Sequence, residues 1–585
     1  MNIFKDRFSE IKKASEPLYK SPKSVQETIE ILKISESGIF EVADGKYSKT
    51  YRFSDVNYAI RSEEEQESFF QRYCRCLNSF DCTFKITVNN KNKDMDVLRN
   101  EVMLKYRNDG FDKMRESYNR IIEEKILEGR QGIEQERYLT ITIERKNFEE
   151  AKAQFATIEA SMFRSFAELG SKLTPLTGNE RLKILHDYYR LGREDEFNFD
   201  IRQGRITGTD FRNEICNTRI KYHPDYFENE GKVGRVLFIK KYPTYLSDRF
   251  FTELTFLPVH SVTSVDVVPV PKDLTMKMLQ KKYLGIESDI IKQQRTRNRN
   301  NDFSSDISYA TRQKKKDIEE IMNNVRENDE SLYYVSVTMI VMADDRDELE
   351  SICETVDSIA KGAGCAVDTC MYKQREAVNT TLPIGVRQIE TMRTMLTQSL
   401  AVLMPFNVQE LCDKNGIYYG VNQISKNIIV GNRKKLLNGN GFIFGVSGAG
   451  KSFQAKMEMG SVLLSTDDNV IAVDPMNEYE DVTEKYNGTY INISTNTRNY
   501  INPMDMDVWN LDVLDSKGWV RDKCQFMLSI CEQIMKEITP QQRSIISRCV
   551  KDLYMDIARS REKYVPTMED LYNRLLEQED KEARD

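Results

Sequence analysis

The pattern of apolar and polar residues in the first third of the chain predicts short strands alternating with helices. From about residue 35 to 90, β-branched and aromatic residues alternate with polar ones around Asp44–Gly45, a pair typical of a β-hairpin turn. The segments 81–90 and 137–145 read as strands. The charged stretch from about 98 to 130 lies between them and reads as a long helix.

A strand followed by a helix occurs twice, with similar residues at the start and at the end of the helix. In the first case Asn147 stands at a helix cap position, and Gly170 stands where that helix should stop. The second case covers residues 331–364, with an alternating strand, an acidic turn, an amphipathic helix and a glycine stop. Two readings stay open: an internal duplication, or two unrelated examples of a common unit.

The elements so far predict an α+β region over residues 1–390, because strands and helices mix around antiparallel pairing. Its length allows two subdomains, with a boundary near 175–230. Residues 290–317 interrupt it with eight basic residues and few aliphatic ones. That run indicates either a solvated, charged segment or a nucleic-acid contact, and the few aromatic residues favour the first.

The composition limits which metal sites, disulfides and binding partners fit the chain. The 11 cysteines lack the spacing of a disulfide framework and favour a reducing compartment. His186, His223 and His260 have no second histidine or cysteine at ligand spacing, so zinc has little support. The first residues do not form a secretory signal, and the longest apolar run, 332–343, is of strand length. The formal net charge of −7 argues against a chain that mainly coats nucleic acid.

A glycine-rich motif at residues 441–453 carries the strongest chemical signal. An apolar segment, 442–446, is predicted as a strand that enters the turn GVSGAGKS and leaves as an amphipathic helix starting near Lys451. Glycines let backbone N–H groups approach phosphate oxygens, and the helix N-terminus favours an anion. The candidate nucleotide-binding residues are therefore Gly445, Val446, Ser447, Gly448, Ala449, Gly450, Lys451, Ser452 and Phe453.

Within this motif, Lys451 is expected to reach the β- and γ-phosphates, and the Ser452 hydroxyl to bind Mg²⁺. About twenty residues further on, a second predicted buried strand, 470–473, ends at Asp474, and Glu478 follows. A carboxylate at the end of a parallel strand can organise the metal's water shell or polarise water. The alternative is structural: Asp474 begins a turn and Glu478 caps the next helix.

The remaining chain predicts one more strand and then only helices. The segment 489–494 reads as a third strand. After residue 520, the sequence TPQQ predicts a helix with Thr539 as its cap and Gln542 bonding back to it. A second helix begins after Thr567. The apolar face of the first contains Ile545, Ile546, Cys549, Val550, Leu553, Tyr554 and Ile557.

The loop GVSGAGKS, the strand end VDPMNEY, the turn INPMDM and the block at 393–433 together resemble the cytoplasmic ATPases of type IV secretion and conjugal transfer systems, the VirB/TraC/TrbE-type proteins. The clear resemblance covers roughly residues 390–585. It implies an α/β fold combined with α+β: a RecA-like P-loop NTPase domain after an α+β N-terminal domain. The first part of the motor would be 391–510, and 511–585 its all-helical insertion.

The resemblance also implies a function. It predicts a motor that binds ATP and Mg²⁺ and energises a conjugative DNA transfer channel from the inner face of the cytoplasmic membrane. Partners would be membrane components of the channel and other copies in a hexamer, and direct contact with DNA stays open. Lys451, Asp474 and Glu478 would be the catalytic residues.

The sequence departs from the family pattern in one respect. No apolar strand ending in two carboxylates follows residue 520, so we expect the distal part of the motor to be missing and hydrolysis by this chain alone to be in doubt. Two other functions stay open: a non-hydrolysing structural subunit docked on membrane components, and a DNA translocase of the HerA or FtsK type.

Overall fold

The structure of the protein is a computed structural model. It describes residues 22, 24–92, 99–100, 102–128, 133–216, 219–299, 309–327, 329–413, 415–423, 427–494, 497, 499–506, 516–535, 537–560 and 564–583. The chain divides into two compact units, Met1–Ile471 and Ala472–Asp585. Each unit is described by itself.

All the strands that the structure describes lie in the first unit. They are β1 Lys33–Ile34, β2 Ile39–Ala43, β3 Lys46–Phe53, β4 Thr83–Asn92, β5 Ile133–Glu144, β6 Leu173–Pro175, β7 Ile220–Tyr222, β8 Phe227–Asn229, β9 Lys232–Lys241, β10 Ser261–Val270, β11 Leu332–Ala343, β12 Ala366–Thr369, β13 Arg393–Leu396, β14 Ile417–Val421 and β15 Ile428–Gly431.

The α-helices occur in both units. Those of the first unit are α1 Glu63–Asn78, α2 Asp112–Glu128, α3 Phe148–Leu169, α4 Gly178–Tyr189, α5 Ile201–Thr207, α6 Arg212–Ile215, α7 Arg249–Thr255, α8 Lys272–Arg299, α9 Tyr309–Glu327, α10 Arg346–Gly362, α11 Gln374–Thr381, α12 Thr397–Ala401 and α13 Lys451–Ser465. Those of the second unit are α14 Glu480–Lys485, α15 Ser516–Met535, α16 Pro540–Ser560 and α17 Met568–Leu576.

One large antiparallel sheet organises the first unit, and its strand order is symmetric about its centre. The order is β1-β2-β3-β5-β4-β10-β11-β9-β8-β7, with β6 beside β3 and β12 beside β9. Each strand of the first half therefore has a counterpart in the second. The centre is the pair β4–β10, where Thr87 lies opposite Ser264 and the two hydroxyls are 2.7 Å apart.

The elements between the strands repeat in the same way. Helices α1 and α7 each precede the central strand of their half, and α3 and α10 each follow the strand next to it. The strands β5 and β11 are both 12 residues long. Matching strand order, lengths and connections support an internal duplication, one of the two readings left open by the sequence.

Local signals explain the helix ends. The Asn147 side chain accepts a hydrogen bond of 2.9 Å from the backbone N–H of Glu150, and Gly170 ends α3 in the left-handed region at φ 79°. In the second half, Asp345 caps α10 through the backbone N–H of Glu348 at 2.9 Å. The predicted cap at Asn147 and stop at Gly170 are therefore confirmed, as is the hairpin turn at Asp44–Gly45 between β2 and β3.

Apolar side chains cover both faces of the sheet. On one face, Phe69 of α1, Phe155 of α3 and Leu349 of α10 pack with sheet residues such as Val335, and all four are buried. On the other face, α4 and α11 contribute to a second buried cluster that includes Phe40, Val236, Ile340, Leu182 and Ala377.

A segment after α11 crosses the second face and is held by buried cations. The Nζ of Lys85 in β4 donates to the carbonyls of Thr380, of Leu382 at 3.3 Å and of Val386 at 3.1 Å. Arg181 donates to the carbonyl of Pro383 at 3.2 Å. Since a buried main-chain carbonyl needs a donor, these cations allow a segment without regular structure to lie against the sheet.

A buried ion pair holds the chain where it leaves the sheet for the glycine-rich region. Asp55 and Arg137 are 2.5 Å apart, and the Asp55 carboxylate also accepts from the backbone N–H groups of Asn407 at 2.8 Å and Val408 at 3.2 Å. Burial nevertheless raises the pKa of Asp55, with the Arg137 charge opposing that shift. Hydrogen bonds to Asp55 therefore hold residues 407–408 next to the end of β3 and to β5.

The second unit is built from helices around a small core. Ile545, Ile546, Cys549, Val550 and Tyr554 are buried, as their helical spacing predicted. The predicted cap is also confirmed, because Thr539 Oγ1 accepts from the N–H of Gln542 at 3.2 Å and Gln542 Oε1 accepts from the N–H of Thr539 at 3.0 Å.

Three predicted strands are wrong. The segments 442–446, 470–473 and 489–494 form no strand, and many of their apolar side chains are exposed, including Phe444 at 87% and Ile471 at 93%. Apolar alternation makes a strand only where a neighbour pairs with its backbone. The strands β1 to β15 pair only in the antiparallel sense in the described residues, and the one parallel contact there is an isolated bridge between Cys412 and Val430. The parallel sheet of the predicted α/β domain is therefore not found in these residues.

The helix predicted over about 98–130 is shorter than expected. Helix α2 begins at Asp112, whose carboxylate accepts from the backbone N–H groups of Arg107 at 3.0 Å and Asn108 at 2.9 Å. This turn separates α2 from the preceding residues. Residues 98, 101, 129 and 130 of the predicted helix lie outside the described residues.

Candidate functional site

The glycine-rich loop leads directly into helix α13. Gly448 and Gly450 have φ angles of 78° and 90°, in the left-handed region that favours glycine. Gly450 is the N-cap of α13, which begins at Lys451 as the sequence predicted. The first backbone N–H groups of this helix have no partner within it, and they are the groups that an anion can accept from.

The loop is compact around Gly445. The backbone N–H of Ala449 donates to the carbonyl of Val446 at 3.2 Å. A Cβ added at Gly445 would lie 3.2 Å from the Ala449 Cβ and 3.3 Å from the Lys451 Cγ. Position 445 is therefore restricted by close approach, whereas Gly448 and Gly450 are restricted by backbone conformation.

Lys451 turns back over its own loop. Its Nζ donates to the carbonyls of Gly445 at 2.9 Å and Val446 at 3.0 Å. The cation is therefore held against the loop backbone at the residues that precede Gly448 and Gly450. Ser452, the predicted metal ligand, is the second residue of α13.

The other predicted loop residues are placed close to solvent. Val446 is 80% exposed and Phe453 is 69% exposed, and Ser447 and Ala449 are exposed as well. Their side chains therefore leave the loop backbone accessible. The loop residues come together as the sequence predicted, in one turn at the start of one helix.

The hairpin β14–β15 packs on α13 through a polar contact that the sequence analysis did not identify. Glu458 of α13 accepts from the Tyr419 hydroxyl at 3.1 Å and forms an ion pair with Arg433 at 2.8 Å. Arg433 Nε donates to the Tyr419 hydroxyl at 3.0 Å. Gln454, one turn earlier on α13, donates to the carbonyl of Tyr419 at 3.5 Å. The hairpin thus fixes the first half of α13.

Two arginines, Arg115 in the first turn of α2 and Arg107 in the turn before it, hold the other end of α13. Arg115 is fully buried and donates from Nε to the carbonyl of Leu464 at 3.1 Å, while Arg107 donates from Nη2 to the carbonyl of Ser465 at 2.7 Å. Both cations lie at the C-terminal end of the helix, where the dipole favours positive charge. The Arg115 guanidinium also holds the pKa of the Asp109 carboxyl below its usual range.

Asp474 and Glu478 lie in the second unit. The Asp474 carboxylate accepts from the backbone N–H groups of Glu478 at 2.6 Å, Tyr479 at 2.9 Å and Met476 at 3.2 Å. Partial burial would raise the pKa of Asp474, but these hydrogen bonds outweigh it and place the pKa below its usual range. This is the turn-forming role that the sequence left as the alternative.

Glu478 does not cap the next helix. The N-cap of α14 is Tyr479, and no side chain makes the cap hydrogen bond. The Glu478 side chain is exposed. Of the structural alternatives, the Asp474 turn is therefore present and the Glu478 cap is not.

Two of the residues that sequence reasoning missed had a local signal. Tyr419 and Arg433 lie inside the block at 393–433 that carries the family resemblance, next to the loop in the sequence. Arg107, Arg115 and Glu458 had none, because a charged residue on a predicted helix is usually a solvated one. In the described residues no three His, Cys, Asp or Glu side chains cluster as a metal site, and no helix is both long and apolar enough to cross a membrane.

A family model described as the TraG P-loop domain matches residues 423–583. The matched range contains the glycine-rich loop, α13 and the helices of the second unit. A search of curated proteins gave no match. This part of the chain is therefore similar to a P-loop domain found in conjugal transfer proteins, and such a domain binds nucleotide, typically together with a divalent metal.

Proposed function

We propose that the protein is a motor-type ATPase of a conjugative DNA transfer or type IV secretion channel, of the VirB/TraC/TrbE type. One observation carries the proposal: a loop with left-handed glycines at 448 and 450 opens α13 with Lys451, inside a segment similar to the TraG P-loop domain. In this proposal the matched segment belongs to a RecA-like motor domain that functions as a hexamer at the inner face of the membrane.

The nucleotide in this proposal is ATP with Mg²⁺. The loop fits a triphosphate because its backbone N–H groups and Lys451 supply positive charge, and the loop residues 445–450 are exposed. Ser452 would hold the metal, which when bound neutralises phosphate charge. Lys451 would exchange its contacts with the carbonyls of Gly445 and Val446 for contacts with phosphate oxygens.

Asp474 and Glu478 remain proposed catalytic residues, and the surroundings of their carboxylates support the two roles unequally. Three backbone hydrogen bonds occupy the Asp474 carboxylate, which favours a role in shaping the turn. The exposed Glu478 carboxylate is the better candidate for polarising water.

The test compares the wild-type chain with Lys451→Ala. We expect the wild type to bind a fluorescent ATP analogue in the presence of Mg²⁺, and the variant to lose at least tenfold in affinity. Lys434→Ala is the matched control, because Lys434 is an exposed lysine that pairs with Asp468 at 2.6 Å. Turnover of ATP is measured on the same three proteins.

The outcomes separate the competing functions. Turnover that depends on Lys451 supports the ATPase. Equal and negligible turnover in wild type and variant removes the enzyme, and nucleotide binding without turnover then favours the structural subunit docked on membrane channel components. A translocase of the HerA or FtsK type predicts instead that the chain binds DNA with an affinity that falls steeply with salt.

A further inference from the structure

Each half of the large sheet has a helical insertion between equivalent strands. The insertion of the first half contacts other elements of the same unit. In the first half, the connection from β4 to β5 contains α2, which contacts α13 through Arg115 and packs Ile122 against Val430 of β15. In the second half, the connection from β10 to β11 contains α8 and α9. In the matching strand order, α8 and α9 therefore take the position that α2 has in the first half, where α2 contacts α13 and β15.

Helices α8 and α9 pack against each other as an antiparallel pair. Near the sheet, Leu279 of α8 and Val325 of α9 are buried. Further along, Lys315 of α9 pairs with Glu287 of α8 at 3.0 Å and lies over the Tyr283 ring at 5.1 Å. This register brings the C-terminal end of α8 and the N-terminal end of α9 to the same distal end.

The distal end of the pair is strongly basic. Residues 290–299 and 309–316 contain eight lysines and arginines and no acidic residue. Five of these cations have exposed side chains that the structure describes: Lys292, Arg295, Arg312, Lys314 and Lys316. From Asp317 onward α9 is mostly acidic, with Asp317, Glu319, Glu320 and Glu327 against Arg326, so the cations are concentrated at one end.

The basic end lies far along the pair from the sheet, and the carboxylates nearest to it are Glu287, Asp289 and Asp317. From Leu279 to Lys292 the helix rises by roughly 20 Å at 1.5 Å per residue. This exceeds two Debye lengths of about 8 Å at physiological ionic strength, so the net charge of −7 does little to cancel the local field. An anionic partner would therefore meet a positive surface.

The chemistry of the surface favours a lipid bilayer over nucleic acid. Leu284 and Ile291 lie seven residues apart on one face of α8 and are 63% and 47% exposed. Exposed aliphatic side chains beside cations fit the headgroup region of a membrane, whereas single-stranded nucleic acid is bound by aromatic stacking. Tyr309 is the only aromatic residue in the two basic stretches.

We infer that the distal end of the α8–α9 pair is a docking surface for a bilayer rich in anionic phospholipid. It would use the five exposed cations on phosphate headgroups and insert Ile291 between them. The inference rests on the peripheral membrane location in the proposed function, and it adds the surface that makes the contact and the lipid class that it binds.

The experiment is co-sedimentation of the full chain with vesicles of phosphatidylcholine alone or with 30% phosphatidylglycerol. The test variant replaces three cations: Arg312→Gln, Lys314→Gln and Lys316→Gln. The control removes the same charge near the sheet, with Lys277→Gln, Lys281→Gln and Lys282→Gln, which are also exposed. An Ile291→Ser variant tests insertion.

We expect the wild type to sediment with the anionic vesicles only, and to be released by 0.5 M salt. Since each cation near an anionic surface contributes roughly fivefold in partitioning, the distal triple variant should lose at least tenfold and the proximal one much less. Ile291→Ser should weaken vesicle binding severalfold and leave any binding to a short DNA duplex unchanged.

Three results would overturn the inference: no preference for anionic vesicles, equal losses in the two triple variants, or retention of a DNA duplex in place of vesicles. ATP-analogue binding is measured on the same preparations. If the chain binds vesicles but no nucleotide, the proposed motor function is refuted and the membrane-docking surface is retained. If it binds nucleotide but no vesicles, the docking surface is refuted and the motor function is retained.

Discussion

Arg115 and Leu464 lie 349 residues apart in the chain, and the Arg115 Nε donates a hydrogen bond of 3.1 Å to the Leu464 carbonyl in the last turn of α13. The same guanidinium contacts Asp109 at 2.5 Å and Asp112 at 2.8 Å. Helix α2 and the helix that begins at the glycine-rich loop are therefore joined through one buried cation. Any movement of α13 along its axis has to carry or break this contact.

Replacing Arg115 by alanine should loosen the end of α13. The change leaves a main-chain carbonyl without its donor and Asp109 without its cation, which we expect to cost about 2–3 kcal/mol locally. Amide hydrogen exchange of the full chain, read at residues 458–466, should therefore accelerate by at least tenfold.

The control for this prediction is Arg107→Ala. The Arg107 side chain is 38% exposed and its ion pair with Asp467 is open to solvent, so its loss should cost less than about 1 kcal/mol. Equal acceleration of exchange in the two variants would contradict the central role of the buried cation.

The contact between β14–β15 and α13 should be energetically coupled. Arg433, Tyr419 and Glu458 form one hydrogen-bonded group, so removing one member weakens what the others can contribute. We predict a coupling free energy of about 1 kcal/mol between Arg433→Ala and Glu458→Gln. The measurement is the exchange protection of residues 451–460 in the wild type, both single variants and the double variant, and strict additivity would refute it.

The Thr539 cap offers a test confined to the second unit. Thr539→Ala removes the acceptor for the Gln542 N–H and should lower the free energy of unfolding by about 1 kcal/mol. Trp519 lies in α15 of this unit, and Trp509, the other tryptophan of the sequence, falls within its residue range, so urea unfolding is followed by tryptophan fluorescence. Thr539→Ser keeps the hydroxyl and should lose less than about half as much.

Local chemistry explains which features the sequence could predict. The caps at Asn147 and Thr539 and the start of α13 at Lys451 depend on neighbours within four residues, and all three are confirmed. The Arg115–Leu464 contact depends on a fold that joins distant segments, so no pattern near either residue indicates it. The predicted strands at 442–446 and 470–473 are wrong for a related reason, because a run of apolar residues does not show whether a pairing partner exists.

The internal duplication is intermediate between the features that the sequence predicts and those that it does not. The sequence indicated it from a strand–helix unit that occurs twice, whereas the order of the strands in the sheet supports it more strongly. Turn residues and periodicity repeat only weakly between the halves. Their connections have diverged into a single helix at α2 and a helical pair at α8–α9.

The stability of the first unit should fall as the pH drops below neutral, partly because of His260. Shielding of the ring from water lowers the pKa of His260 from 6.5 to about 4, with Lys91 and Lys232 adding to the effect and Asp187 opposing it. Its Nδ1 has no hydrogen-bond partner among the described residues. Between pH 6.5 and 4, the unfolded chain therefore binds a proton that the folded chain does not, and stability rises with pH across this window.

We predict that lowering the pH from 7.5 to 5.0 costs the wild type about 1–2 kcal/mol more in the free energy of unfolding than it costs His260→Gln, which cannot titrate. Thermal unfolding followed by circular dichroism at both pH values measures the difference. His223→Gln is the matched control, because the His223 ring contacts the partly exposed Glu228 at 3.0 Å and should leave the His260 contribution intact. If His260→Gln retains the full loss of stability on acidification, the protonation of this ring does not set the acid sensitivity of the unit.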